Sequence, residues 1–591
     1  MRRGWTRLAL TAAGLTAVLG AAPAALGQGS TPTARGTGGA VATVDPLATR
    51  AAVRALRDGG NAIDAAVTAA AVLGVVEPYS CGIGGGGFMV IRTAKGRVVT
   101  IDSREKAPRA MRPDSFFENG KALTMDPARF SGLSAGVPGT PMAWARALER
   151  YGTFSLARAL RPGIRVARRG YIVDTTFFKF TDDVRDYFDD VPSTAALYLD
   201  PDGSAKDPGE RIVNRDMART YRIMARRGVR RGFYRGQVAA AMAQAAQHPP
   251  IAPTANHTWR PGLMTTADLA RYRARFRAPT KVTYRGYDVY SMGPPSSGGS
   301  TVGEVLNILN GYSPLGASRE QGLHRSLEAQ RYAFADRNAY LADPAFYDVP
   351  LRGLLSQSFA NERRSLINDR RAATSPVPPG NPRDDQSGTA SATISHPNQS
   401  TTHLVTADRF GNVVSYTFTI ESTGGNAIVV PGYGFLLNNE LTDFNFDSTT
   451  HPNRAEGDKR PRSSISPTIV TRNGRPWLAL GAAGGSTIIG NVIGMLVNRI
   501  DFHDPLPRAL AAPRVVERNT AAGSQAEEAF QKSQVGMDLA AVYGHKYTNP
   551  DKPLFEIGAS TALEIRGRRK FVAVAEPVRR GGGSAGVVRR R

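Results

Sequence analysis

A chain of 591 residues with 41% hydrophobic content is long enough to bury large cores. Its net charge of +25 (75 Lys and Arg against 50 Asp and Glu) comes with no recognisable DNA- or RNA-binding motif, so a nucleic-acid partner is not expected. Cys81 is the sole cysteine, which excludes intrachain disulfides, and the eight histidines form no HxxEH or HxH array, so no metal site is expected.

In chain order, Arg2, Arg3 and Arg7 precede an apolar run from Leu8 to Leu19 and the small-residue stretch "GAAPAALGQ". Residues 1–27 therefore have the layout of a signal peptide, with cleavage expected near Ala25 or Gly27, and the run is too short and too rich in Ala, Gly and Thr for a membrane span. The protein is expected to be exported, ending extracellular, periplasmic or associated with the cell wall. Segments 47–58 and 61–76 read as two helices broken at Gly59-Gly60, with Asn61 as cap of the second. Gly82, Gly84 and Gly87 match G-x-G-x-x-G, but the "FMVIRTAKGRVVTIDS" that follows is a hairpin pattern and not a helix, which rules out the dinucleotide reading. These glycines instead allow a tight turn or close backbone packing. Cys81 beside them reads as a small packed residue.

From 137 to 360 the pattern is largely helical and reads as scaffold covering a sheet. Within it, Ser296 and Ser297 lack the Gly-x-Ser-x-Gly surroundings of a serine nucleophile. The polar, proline-rich run 375–398 reads as an exposed loop. After it, "THLVTAD" and "VVSYTFTI" are β-branched and aromatic around the turn "RFGN", a hairpin. A hydroxyl cluster, Ser400, Thr401 and Thr402, thus sits where a loop feeds a strand, and the pattern alone does not choose among the three. Cleavage before one of them would give a residue with both a nucleophilic hydroxyl and an α-amine, which titrates at ~7.7–8.0 and can accept the hydroxyl proton. The tail "VRRGGGSAGVVRRR" (578–591) reads as basic, solvated and disordered, suited to loose contact with an anionic cell-wall polymer.

The hydroxyl cluster, with "LLNNELTDF" (436–444), "RPRSSISPTIV" (460–470) and "GAAGGS" (481–486), resembles the small subunit of the gamma-glutamyltranspeptidases. The resemblance extends upstream through "EPYSCGIGGGGFMVI" (77–91), "IDSREKAP" (101–108), "GVPGTPMAW" (136–144), "GPPSSGG" (293–299) and "YAFADRNAYLADP" (332–344), in family order. It implies an N-terminal-nucleophile hydrolase of the α+β class, a four-layer αββα sandwich that cleaves itself into intertwined subunits. On this chain the large subunit would be 28–400 and the small subunit 401–577.

The same resemblance makes Thr401 the nucleophile, supported by Thr419, with Gly484 and Gly485 as the oxyanion hole. It gives Arg104, Ser463 and Ser464 to the substrate α-carboxylate, and Glu440 and Asp443 to its ammonium. Glu421 stands where familiar members carry asparagine, and three carboxylates facing one ammonium would raise one another's pKa. The connection from Asp443 to Ser463 is shorter than in lidded members, an open cover suited to longer donors. The implied reaction, without cofactor, moves a γ-glutamyl group from glutathione or a related amide to water or to an amino acid or peptide. A related amidase on the same scaffold (a cephalosporin acylase or a poly-γ-glutamate depolymerase) is the alternative, and a non-catalytic wall-binding protein a more distant one.

Overall fold

The computed structural model describes residues 32–383, 400–567 and 569–589; the expected leader, residues 1–27, lies outside them. Two seven-stranded antiparallel sheets lie face to face. The first runs Ser584–Val587, Gly39–Thr43, Thr402–Asp408, Val413–Thr419, Gly86–Arg92, Val98–Ser103 and Arg275–Arg277. The second runs Thr33–Gly36, Lys570–Ala575, Ser560–Arg566, Arg475–Ala482, Thr468–Arg472, Tyr287–Ser291 and Thr280–Tyr284.

Between the sheets, small and β-branched side chains (Ala40, Ala42, Val90, Val405) meet Ile469, Ala479, Leu563 and Ala573. Helices cover both outer faces: Pro46–Arg57, Ala62–Val76 and Leu156–Arg169 on the first sheet's side, Gly298–Asn310 and Ile488–Ile500 on the second's. This is the expected four-layer α+β sandwich. With both faces of each sheet covered, strands such as Thr402–Asp408 and Val413–Thr419 are buried at every position, their polar side chains included.

Local signals act where the sequence places them. Asn61 caps Ala62–Val76 in a reciprocal box with Asp64, satisfying helix N–H groups that would otherwise be orphaned, and the Ala-rich helix behind it is buried all round. The Gly82–Gly87 segment makes close backbone approaches: a Cβ on Gly85 would lie 1.8 Å from the carbonyl oxygen of Thr419.

The tail departs from expectation. Ser584–Val587 pairs with Gly39–Thr43 and forms an edge of the first sheet, so residues 578–589 are folded and the disordered reading is corrected. Arg579 is 2% exposed and binds Glu527 and Glu576. Its charge is consumed internally, and the fold of the second half of the chain continues past 577. Both sheets interleave strands from before and after residue 400, so two pieces cut there would remain joined through hydrogen-bonded ladders.

Candidate active site

Strand register assembles the site. Thr402 pairs with Phe418, which sets Thr401 beside Thr419 at the same end of the sheet. Thr419 pairs with Gly86, and Gly87 with Ser103, so Arg104 emerges from the third strand over at that same end. Thr401 Oγ1 lies 3.1 Å from Thr419 Oγ1 and also contacts the carbonyl oxygen of Ser400, across the peptide bond that precedes it. The Thr419 hydroxyl accepts from the Glu421 N–H (2.8 Å) and stands 3.3 Å from the Ser400 carbonyl oxygen. Ser400 N–H donates to the Glu421 carbonyl (3.1 Å), fixing the bond before Thr401.

A solvent-open pocket lies on this pair. Thr401, Thr419, Arg104, Glu421, Glu440, Asp443, Ser463, Ser464 and Gly485 line it, and Gly484 adjoins from the next cavity. Every expected site residue is therefore gathered at one place. Among the described residues no histidine lines the pocket; the nearby His403 is buried between the two sheets, bonded to Thr417, and burial holds it neutral, its pKa lowered to about 3.

Gly484 (φ +113°) and Gly485 (φ +55°) lie in left-handed backbone that disfavours side chains, just before the helix Ile488–Ile500. Among the described residues neither glycine's N–H has a hydrogen-bond acceptor. Unpaired donors at a helix start form a ready anion site.

Charge in the pocket is unevenly paired. Arg104 is fully buried and binds both Glu440 and Asp443, while its Nε and Nη2 also donate to the carbonyls of Pro461 (3.1 Å) and Arg462 (2.9 Å). Four of its five N–H donors have acceptors, which leaves one for a ligand. Among the described residues Glu421 makes no close ion pair, although the Arg129 guanidinium favours its charge from a distance; Ser422 Oγ and Asn439 Nδ2 donate to its carboxyl. Burial first, then repulsion from Asp443, pushes its pKa up to about 7. Glu421 also sits at φ +81°, where a glutamate is strained and asparagine far less so. Glu105, behind Arg104, has neither oxygen hydrogen-bonded among the described residues and lies 3.9 Å from Arg104 Nη1; burial outweighs that guanidinium and lifts its pKa to about 8.

The serine pair is held from behind. Ser463's carbonyl accepts from the N–H and the hydroxyl of Ser297 (2.7 Å each), and Ser464 Oγ accepts from Arg337 Nη2 (2.7 Å). Ser297 thus serves as scaffold. Arg337 was not singled out from the sequence, although its place inside the motif 332–344 was the available signal. Nor was Arg580: its Nη1 donates to the Thr401 carbonyl (2.8 Å) from within the segment read as a loose tail.

The gamma-glutamyltranspeptidase family profile matches residues 48–586. The chain is 35% identical over 564 residues to a glutathione hydrolase proenzyme of Pseudomonas sp. strain A14, spanning 92% of this chain and 93% of that one. It is 38% identical over 494 residues to an acylase ACY 1 proenzyme of Pseudomonas sp. strain SE83, covering 82% of this chain and 83% of the relative. Among solved structures, a cephalosporin acylase from Bacillus halodurans superposes with a TM-score of 0.83 at 28% identity over 97% of this chain and 100% of that one. Matched over most of its length in sequence, and carrying its site at the end of the first sheet, the chain belongs to the gamma-glutamyltranspeptidase family.

Proposed function

We propose that the protein is a self-processing γ-glutamyl hydrolase and transpeptidase with Thr401 as its nucleophile. The observation that carries this is the Thr401 hydroxyl lying against the Ser400 carbonyl, beside Thr419, at the mouth of a charged pocket. In the uncut chain Thr401 Oγ attacks the Ser400 carbonyl carbon. The C–N bond to Thr401 breaks, an ester forms on Oγ, and water hydrolyses it. Ser400 then ends in a carboxylate and Thr401 begins with an amine.

In the cut protein that amine takes the Thr401 hydroxyl proton as Oγ attacks the γ-carbonyl of a donor. The Gly484 and Gly485 N–H groups are positioned to receive the oxyanion, a role in which one donor is typically worth ~2.7–4 kcal/mol of barrier. The donor's α-carboxylate is assigned to the free donor of Arg104 with Ser463 and Ser464, and its ammonium to Asp443, Glu440 and Glu421. The amine half departs with the returned proton, and water or an amino acid or peptide amine takes the acyl group from Thr401. The leader-like residues 1–27 support export, and the basic surface supports loose contact with an anionic wall polymer.

The acylase relatives favour a second reading, amide hydrolysis of a cephalosporin side chain on the same nucleophile. A denaturing gel with N-terminal sequencing of the smaller fragment, and parallel turnover of γ-glutamyl-p-nitroanilide and a cephalosporin side-chain amide, separates the cases. Two fragments, the smaller starting at Thr401, with anilide turnover are expected. An uncut chain, or a cut elsewhere, refutes the proposal.

A further inference from the structure

Three side chains away from the catalytic pocket carry a donor set that the mechanism does not use. His324 and Glu328 sit one turn apart on the helix Arg319–Tyr340, and His545 lies in the loop that follows the helix Gln534–Ala541. None of the three lines the pocket around Thr401. One ring nitrogen from each histidine and one Glu328 oxygen lie within 4.8 Å of one another, and all three residues are buried. The two histidines are 221 positions apart in the chain. The expectation of no metal site rested on histidines close together in sequence, and the fold supplies a grouping that such a pattern does not contain.

The hydrogen bonds fix where the protons are. His324 Nε2 lies 2.8 Å from the Asn368 carbonyl oxygen, which can only accept, so this nitrogen carries the hydrogen. Burial holds both rings neutral. His324 Nδ1 therefore presents a lone pair, and His545 Nε2, 2.9 Å away, donates to it. That leaves His545 Nδ1 with a lone pair too, and among the described residues it has no hydrogen-bond partner, although His545 is only 4% exposed. A histidine whose far N–H is held by a backbone carbonyl is the usual arrangement behind a metal ligand, because the carbonyl sets both tautomer and ring orientation. Tyr543 stacks on the His324 ring, with 4.5 Å between centroids. Glu328 is steadied by Arg331 Nε (3.0 Å) and the Ala373 N–H (3.0 Å), and its carboxylate oxygens keep further lone pairs. Charge also suits a cation. Glu328 and Glu517 share the single Arg331, while Arg325 and Asp369 cancel, so one negative charge is in excess.

We propose that His324, His545 and Glu328 form a binding site for a divalent ion of the zinc class. The ligands are His324 Nδ1, His545 Nε2 and a Glu328 oxygen, with water completing the set; two imidazoles and a carboxylate suit zinc better than calcium or magnesium. As the ion enters, the proton on His545 Nε2 moves to the unpartnered Nδ1 of the same ring, and no proton is lost from the site. Nitrogens bound at ~2.0–2.1 Å to a tetrahedral ion stand about 3.3 Å apart, so the rings must part by a few tenths of an ångström. His545 can supply that movement, being in a loop between the exposed Gly544 and Lys546. The ion acts structurally. It clips a helix before residue 400 to a loop far after it, and so joins the two pieces of a chain cut at Thr401. The site stands on these residues alone, whatever donor is turned over at Thr401.

The test takes the full-length chain without a histidine tag, strips it with a chelator and dialyses it against zinc chloride alone. Metal content and melting temperature are the readouts, with the absorption of cobalt-loaded protein reporting the ligand set. Wild type is expected to hold one zinc per chain and to melt higher than the stripped protein. His324→Gln and His545→Gln should each weaken zinc binding by at least about 100-fold, since loss of a mere supporting group already costs ~10–100-fold. Both should also lose the zinc-dependent rise in melting temperature. Should His324→Gln fail to fold, His545→Gln, placed in a loop, decides the matter. Wild type that takes up no zinc, or a His545→Gln variant that binds it as wild type does, overturns the site. Neither readout involves a γ-glutamyl donor, so that failure leaves the reading of Thr401 intact.

Discussion

Glu421 is the most informative residue to perturb, because its chemistry differs from the asparagine that family resemblance leads one to expect. Its pKa lies near 7 against an ordinary 4.5, from burial and from Asp443. At 1.36 kcal/mol per unit, the fold favours the protonated carboxyl by about 3 kcal/mol. The sign follows from the folded-state pKa being the higher one. This stabilisation is complete below pH 4.5 and is lost as pH rises through about 7. Glu421→Gln imitates the protonated form and can still accept from Ser422 and Asn439. It should therefore match wild type in stability near pH 4 and exceed it by about 3 kcal/mol at pH 8, read by denaturant unfolding.

Substrate binding should respond in the opposite sense. Above pH 7 the pocket holds three charged carboxylates, Glu421, Glu440 and Asp443, and below it Glu421 is neutral, so wild-type KM for a γ-glutamyl donor should fall as pH rises. A drop of up to about 10-fold is the scale of one added charge contact in a buried site. In Glu421→Gln the KM profile should be flat through that range, while the ionisation of the Thr401 amine remains in kcat for both proteins. Parallel KM profiles for the two enzymes would falsify the placement of Glu421 against the substrate ammonium.

Thr419→Val keeps shape but removes the hydroxyl between Thr401 and the Glu421 N–H, and should slow self-cleavage about 10- to 100-fold, followed as the decay of the uncut band. Gly484→Ala, in backbone at φ +113°, places a Cβ 2.7 Å from Thr487 Oγ1 and 3.0 Å from the Gly558 backbone, so the turn must shift; kcat should drop about 100- to 1,000-fold, and the melting temperature should fall with the added backbone strain. A stop after Pro577 deletes a sheet edge and strips Glu527 and Glu576 of Arg579. Leaving a buried charge unpaired costs ~3–5 kcal/mol, so the truncated chain should be strongly destabilised and remain uncut; wild-type stability would reject the internal role of the tail.

What the sequence revealed and what it hid divide along the range of the interactions. The hairpin 402–419 and the capped helix after Asn61 are written in adjacent residues, and both were legible. Once the hairpin register is known, Thr401 opposite Thr419 follows without further information. Arg104 is different: its carboxylate partners lie more than 300 positions away, and only the family motifs connected them. The tail had neither aid. Arginines among glycines look solvated when read locally, because nothing nearby offers a partner. Their partners are Glu527, some 50 residues upstream, and Thr401, 179 residues away. That last contact changes how the termini are weighed. The residue expected to become a new chain start is held by a guanidinium eleven positions from the chain's end, so the ordering of the tail and the alignment of the nucleophile are coupled, and self-cleavage should require the first sheet, with its strands from both sides of residue 400, to have formed first.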